Sequence, residues 1–161
     1  LFRQKEPALN VKKYAIERYG LTVPQIVQAK RGEDIVLDSG EVLANADITY
    51  RPYGTLSYAY CSDTNYSARL AKMVEGVDML YHEATYAADM RKTAKERGHA
   101  TTADAAKVAQ MAGAGRLLIG HFSSRYKDLE ALLAESREIF PATDIARERE
   151  TFLIEPKATK L

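Results

Sequence analysis

The sequence predicts an α/β layered domain, a mixed sheet with flanking helices, preceded by an N-terminal arm. Two observations carry that prediction. From about Thr55 onward, short apolar runs of strand length alternate with longer runs of helical character, which implies strands buried on both faces beneath helices. The first third is different: charged, thin in large apolar residues and hard to read as a core. The expected division is an arm or lid over residues 1–50 and a layered domain over residues 51–161.

The elements follow in order. Asn10 can cap a helix "VKKYAIERY" that Gly20 closes. "LTVPQIVQAKRG" opens on Thr and an early Pro and ends at Gly32, as a second short helix would. "DIVLDSGEVL" reads as a hairpin turning at Asp38-Ser39-Gly40. Beyond Thr55, "LSYAYC" reads as a strand and "SARLAKMVEG" as a helix closed by Gly76. "VDMLYH" is again a strand, and "YAADMRKTAKERG" a helix. "TTADAAKVAQMAGAG" is a helix with a Thr cap and an early Asp104. "RLLIGH" is a strand, "KDLEALLAESREIF" a helix and "TFLIE" a final strand.

Composition bounds the partners. The chain of 161 residues is 46% hydrophobic and 28% charged, with a net charge of +1, so no global field announces a nucleic-acid or membrane binder. A polyanion would have to be gripped by local patches. One cysteine, Cys61, excludes an internal disulfide and suits a reducing, cytoplasmic setting. No apolar run approaches the ~20 residues of a membrane span. The opening "LFRQKEPALN" has neither an initiator methionine nor the order of a signal peptide, and the expectation is that it lies inside a longer chain.

Placement of the polar residues points to chemistry. Asp63 falls just past one strand, His82 and Glu83 end the next, and His121 ends the third. In α/β sheets functional groups gather beyond the carboxyl ends of strands, where a rigid scaffold meets free loops. His99 precedes a helix N-terminus, and the chain has only three histidines, at 82, 99 and 121. Each residue also has a plain structural reading. Asp63 fits a turn or cap, a lone histidine at a strand end is more often structural than a ligand, and Glu83 could pair with a lysine. Arg125 and Lys127 fit a solvated turn, and Arg91, Lys92, Lys95 and Arg97 an exposed helix face.

In this order, "SDT" after a strand, "HEATY", "GHATT" and "HFSSRY" resemble the C-terminal half of ribonuclease Z. That family comprises the tRNA 3′-processing endonucleases of the metallo-β-lactamase superfamily. The resemblance covers roughly residues 55–154. Residues 1–50 are more loosely similar to the family's tRNA-gripping arm, through "GLTVP" alone. The resemblance implies half of a metallo-β-lactamase αβ/βα sandwich and a catalytic centre with two zinc ions, for which Asp63 and His121 are ligands. Two metals suit an in-line phosphodiester displacement. It also implies that His99 protonates the departing 3′ oxygen while Glu83 orients it, and that Ser123, Ser124 and Arg125 meet a phosphate. "HAT" stands where the family usually shows "HST", with the histidine retained.

A larger departure is an absence: the family's HxHxDH signature does not occur in these residues. Asp63 and His121 are two ligands, too few for two zincs. The expectation is therefore a C-terminal portion of a zinc-dependent endoribonuclease acting on precursor tRNA, inactive by itself. Half a sandwich would bare an apolar sheet face, which implies a homodimer or association with the missing N-terminal half. The alternatives are another phosphodiesterase or arylsulfatase-like hydrolase of the same fold, and a non-catalytic RNA-binding module.

Overall fold

The computed structural model describes residues 1–154. The described residues form two compact units, one of residues 1–4 with 56–154 and the other of Lys5–Thr55. Strand β1 (Phe2–Arg3) belongs to the first of these.

The unit of Lys5–Thr55 is built from short pieces: β2 (Asn10–Val11), α1 (Lys13–Tyr19), α2 (Val23–Lys30), β3 (Ile35–Val36), β4 (Val42–Leu43), α3 (Asn45–Ile48) and β5 (Thr49–Tyr50). The hairpin forms as expected, with Ile35 opposite Leu43 and Val36 opposite Val42. Thr22 starts α2, and its backbone N–H donates to Gln25 Oε1 at 2.9 Å, so one amide at the helix start is met by a side chain. Asn10 does not cap α1. It pairs with Tyr50 in a two-stranded ladder, and Lys12 takes the cap position without a side-chain bond.

The expectation that this segment has no core is also corrected. Ala15, Leu21, Ala29, Ile35, Leu43 and Ile48 form a small buried cluster. They lie singly along the sequence, and only the turns bring them together. Asn45 helps to hold those turns: its side-chain amide donates to the carbonyls of Ala29 at 2.7 Å and Glu33 at 2.9 Å.

The other unit continues with β6 (Ser57–Cys61), α4 (Ala68–Met73), β7 (Met79–Glu83), a 3₁₀ turn (Ala88–Met90), α5 (Arg91–Glu96), α6 (Thr102–Ala112), β8 (Arg116–Gly120), α7 (Glu130–Ile139) and β9 (Thr143–Ile145). Its sheet has the order β1-β6-β7-β8-β9. β1 runs antiparallel to β6 and the other pairs are parallel, so the sheet is mixed as expected.

Register divides the sheet into two faces. Ala59, Leu80 and Leu117 form one row and Cys61, His82, Ile119 and Ile145 the next. The apolar members of these rows join Val108, Ala109 and Leu133 of the helices in the main core. Helix α6 comes close because Ala105, Ala106, Ala109 and Ala112 are small and buried. Thr101 caps that helix by accepting from the Asp104 N–H, and Gly113 closes it in the left-handed region at φ 60°.

The opposite face carries Tyr58 and Met79 in one row and Tyr60, Tyr81 and Leu118 in the next. Tyr60 and Tyr81 stack with ring centroids 4.5 Å apart, and Tyr60 remains 55% exposed. Burial, with Tyr60 and Tyr58 alongside, pushes the Tyr81 phenol up to about 12.

The last strand is not "TFLIE". Residues 151–154 form no strand, and Glu155 lies outside the described residues. Phe152 and Ile154 instead line a cavity of about 310 Å³ with Tyr58, Met79 and Leu118. The edge position goes to β9, which joins the ladder through Leu117 N–H to Ala142 O at 2.9 Å and Ala146 N–H to Ile119 O at 2.8 Å. Its central Asp144 breaks the apolar pattern but accepts from Arg116 at 2.8 Å and Arg137 at 3.2 Å. The helix expected over "YAADMRKTAKERG" is also shorter and begins with the 3₁₀ turn.

Candidate metal and catalytic site

Because β6, β7 and β8 are parallel, their carboxyl ends open on the same edge. Asp63 follows β6, Glu83 ends β7 and His121 follows β8. Asp63 and His121 both adopt left-handed backbone, at φ 51° and 62°, where non-glycine residues are uncommon and Asp and His are among those that tolerate it. Each leaves its strand in a sharp turn, and His121 Nε2 comes to 3.3 Å from Asp63 Oδ1. Single ligand atoms of Asp63, Glu83, His99 and His121 lie within 4.8 Å of one another.

Glu83 is the centre of the hydrogen bonding. Its carboxylate is fully buried and accepts from the Thr64 N–H at 2.9 Å, the Thr85 hydroxyl at 2.6 Å, the Thr85 N–H at 3.2 Å, the Ala100 N–H at 3.2 Å and His99 Nδ1 at 2.8 Å. Burial alone would raise its pKa. The bonds from Thr85, His99, Ala100 and Thr64 outweigh that and bring it below the ordinary value, so Glu83 is an anion that its donors hold in place.

This geometry assigns the protons. A carboxylate only accepts, so His99 Nδ1 carries its hydrogen toward Glu83 and Nε2 is left for chemistry. Thr85 has one hydroxyl proton and three further neighbours: His121 Nδ1 at 2.9 Å, the His121 carbonyl at 3.0 Å and His99 Nδ1 at 3.3 Å. The short bond to the Glu83 carboxylate takes that proton. His121 Nδ1 therefore donates to the Thr85 oxygen, and His121 Nε2 presents a lone pair toward Asp63.

Two lone-pair-bearing atoms 3.3 Å apart repel unless a cation or a proton joins them. Imidazole nitrogen and carboxylate oxygen are both metal-ligand atoms, so Asp63 and His121 belong to a cluster with the chemistry to hold a metal ion. Glu83 and His99 satisfy each other and are not free in the same way.

The expected phosphate contacts begin next door. The Ser123 N–H donates to Thr85 O at 3.0 Å, which ties the "HFSSRY" loop to the same threonine. Arg125 Nε donates to Ser123 Oγ at 3.3 Å, and its guanidinium lies 5.2 Å from the centre of the Tyr86 ring. Tyr86 also meets His99 edge-on at 6.2 Å. Ser124 is exposed and has no side-chain hydrogen bond among the described residues.

His82 stays apart from this cluster. It is fully buried, donates from Nδ1 to Glu83 O at 2.7 Å, and is held neutral because burial pushes its pKa down.

Thr85 and Tyr86 are the residues that sequence reasoning missed. A signal for Thr85 exists: in extended chain, residues two apart share a face, so the Thr of "HEAT" falls beside its Glu. Thr85→Val is expected to lower stability by ~1–3 kcal/mol, since it strips a donor from a buried carboxylate, whereas Thr85→Ser keeps most of it. Urea unfolding of both variants checks this, and a valine variant as stable as the parent would contradict the assignment.

No family model matches the chain. Curated proteins named Ribonuclease Z do. The one from Porphyromonas gingivalis is 40% identical over 149 residues, 92% of this chain and 49% of that protein. One from Bacteroides fragilis is 40% identical over 148 residues, again 92% and 49%. Among solved structures, the metallo-beta-lactamase fold protein YhfI from Bacillus subtilis matches with a TM-score of 0.52 at 27% identity, over 62% of this chain and 40% of that one. The chain spans about half the length of the curated relatives it matches. In fold it is part of a metallo-β-lactamase domain, and over nearly its whole length it resembles ribonuclease Z.

Proposed function

We propose that this chain is the C-terminal portion of a zinc-dependent, cytoplasmic endoribonuclease that removes 3′ trailers from precursor tRNA by phosphodiester hydrolysis. The observation that carries the reading is the pairing of Glu83 with His99 at 2.8 Å beside Asp63 and His121 at 3.3 Å. The 40% identity to proteins named Ribonuclease Z supports it.

Each residue then has a task. Glu83, anionic and buried, fixes the His99 ring through Nδ1–H, and when the ring carries a second proton, on Nε2, that proton faces the departing 3′ oxygen. Asp63 and His121 hold zinc together with ligands from outside these residues, and Thr85 sets the His121 ring. Zinc bound there supplies Lewis-acid polarisation of the scissile phosphate. Arg125, braced by Tyr86 and Ser123, contacts a phosphate with Ser123 and Ser124. Residues 1–50 act as the arm that grips tRNA.

With no HxHxDH in its 161 residues, this chain alone cleaves little, and a polypeptide of the relatives' full length restores cleavage. Strong cleavage by the chain alone would overturn that. In the full-length polypeptide, Asp63→Ala abolishes metal-dependent cleavage of precursor tRNA and lowers zinc content by elemental analysis. His99→Ala retains zinc but slows turnover by ~100-fold or more, the scale of a lost general acid. Loss of zinc on His99→Ala would make it a ligand instead.

The tyrosine-rich sheet face, with Tyr60 and Phe2 exposed, supports association as a homodimer or with the other half of a full-length protein. Light scattering after size exclusion at micromolar concentration tests this, and a clean monomer would exclude the homodimer.

A further inference from the structure

Beside His99 lies a cavity of about 260 Å³ that the roles above do not use, lined by Asn65, Tyr66, Arg91, Lys95, His99 and Asp104. Resting on the reading just given, we propose that it is the subsite for one nucleoside 5′-monophosphate unit, the nucleotide that bears the departing 3′ oxygen. By sequence alone, Arg91 and Lys95 read as part of a solvated helix face. The structure instead places both on the wall of this cavity, one turn apart on α5, where i and i+4 side chains share a face.

Their charges are not cancelled. Arg91 Nε stands 3.7 Å from Asp104 Oδ1, an ion-pair distance but longer than a hydrogen bond. Lys95 has no ion pair among the described residues. Two cations against one carboxylate leave the cavity positive, which suits a phosphate.

The rest of the wall suits a nucleoside. Tyr66 has its hydroxyl 3.2 Å from Met111 Sδ and is one of the lining residues, an aromatic residue of the kind on which a base can stack. Asp104, whose side chain is only 5% exposed, accepts from the Thr101 hydroxyl with Oδ2 and turns Oδ1 to Arg91, which keeps the guanidinium against the cavity wall. His99 has spent Nδ1 on Glu83, so its Nε2 is the atom left to meet a 3′ oxygen. A nucleotide with its 3′ oxygen at His99 carries its 5′ phosphate into the same cavity as Arg91 and Lys95. No bond is made or broken in this binding, which sets which strand segment lies upstream of the cut.

The experiment titrates this chain, with a chelator present, with adenosine 5′-monophosphate, adenosine and inorganic phosphate by calorimetry, while following the His99 ring by NMR. Adenosine 5′-monophosphate is expected to bind more tightly than either part and to shift the His99 resonances. Lys95→Gln, at an exposed side chain without an ion pair, is expected to weaken that binding by about tenfold with the adenosine titration and the thermal melt unchanged. Arg91→Gln gives a second, independent loss. Absence of binding, or unchanged affinity in Lys95→Gln with His99 unmoved, overturns the subsite. Cleavage of precursor tRNA by the full-length polypeptide is scored separately. Nucleotide binding without cleavage keeps the subsite and removes the endonuclease reading, and cleavage without nucleotide binding does the reverse.

Discussion

A buried carboxylate that must be met by donors on every side is the constraint on which the site depends. An unpaired charge in a protein interior is strongly unfavourable, so Glu83 is tolerable only while Thr64, Thr85, His99 and Ala100 all converge on it. Those residues come from the loop after β6, the exit from β7 and the entry to α6. Satisfying one anion therefore fixes these chain segments together. Through Thr85 the same demand reaches His121 beyond β8. The positions of the two histidines are consequences of one desolvation problem being solved.

The sheet beneath divides its labour between faces. One is sealed by alanine-rich α6 and by α7, which makes the strand ends rigid. The other carries the stacked Tyr60 and Tyr81, where burial raises the Tyr81 phenol and the Tyr60 ring remains partly wet. Tyr81 also packs against Gly120, where an added Cβ would come within 2.6 Å of its hydroxyl. The glycine before His121 thus admits a large ring beneath the strand end, so the tyrosine face and the edge that carries the candidate site meet at one residue.

Much of this is legible in the sequence. Alternating strand and helix runs by themselves put Asp63, Glu83 and His121 at matching strand ends, because parallel strands run in one direction and their ends share an edge. Thr85 is not legible in the same way, since a threonine beside a strand reads as ordinary β-former chemistry. β9 escapes a reading by pattern because Asp144 interrupts its apolar run, and its suitability depends on Arg116 and Arg137 on other elements. "TFLIE" has the composition of a strand, but β9 holds the edge beside β8. The small core around Ile35 and Ile48 is invisible because its members never occur in a periodic run.

The left-handed backbone at Asp63 and His121 has a consequence for how such a chain evolves. Unfavourable backbone held at a functional site is a standing burden on stability, of order 1–3 kcal/mol per residue at most, which glycine would relieve. Substitution toward a steadier fold and retention of the aspartate and histidine side chains therefore pull in opposite directions at these two positions. Stabilising changes have to accumulate elsewhere, in the alanine layer of α6 or the caps of the helices, where they leave the strand ends undisturbed.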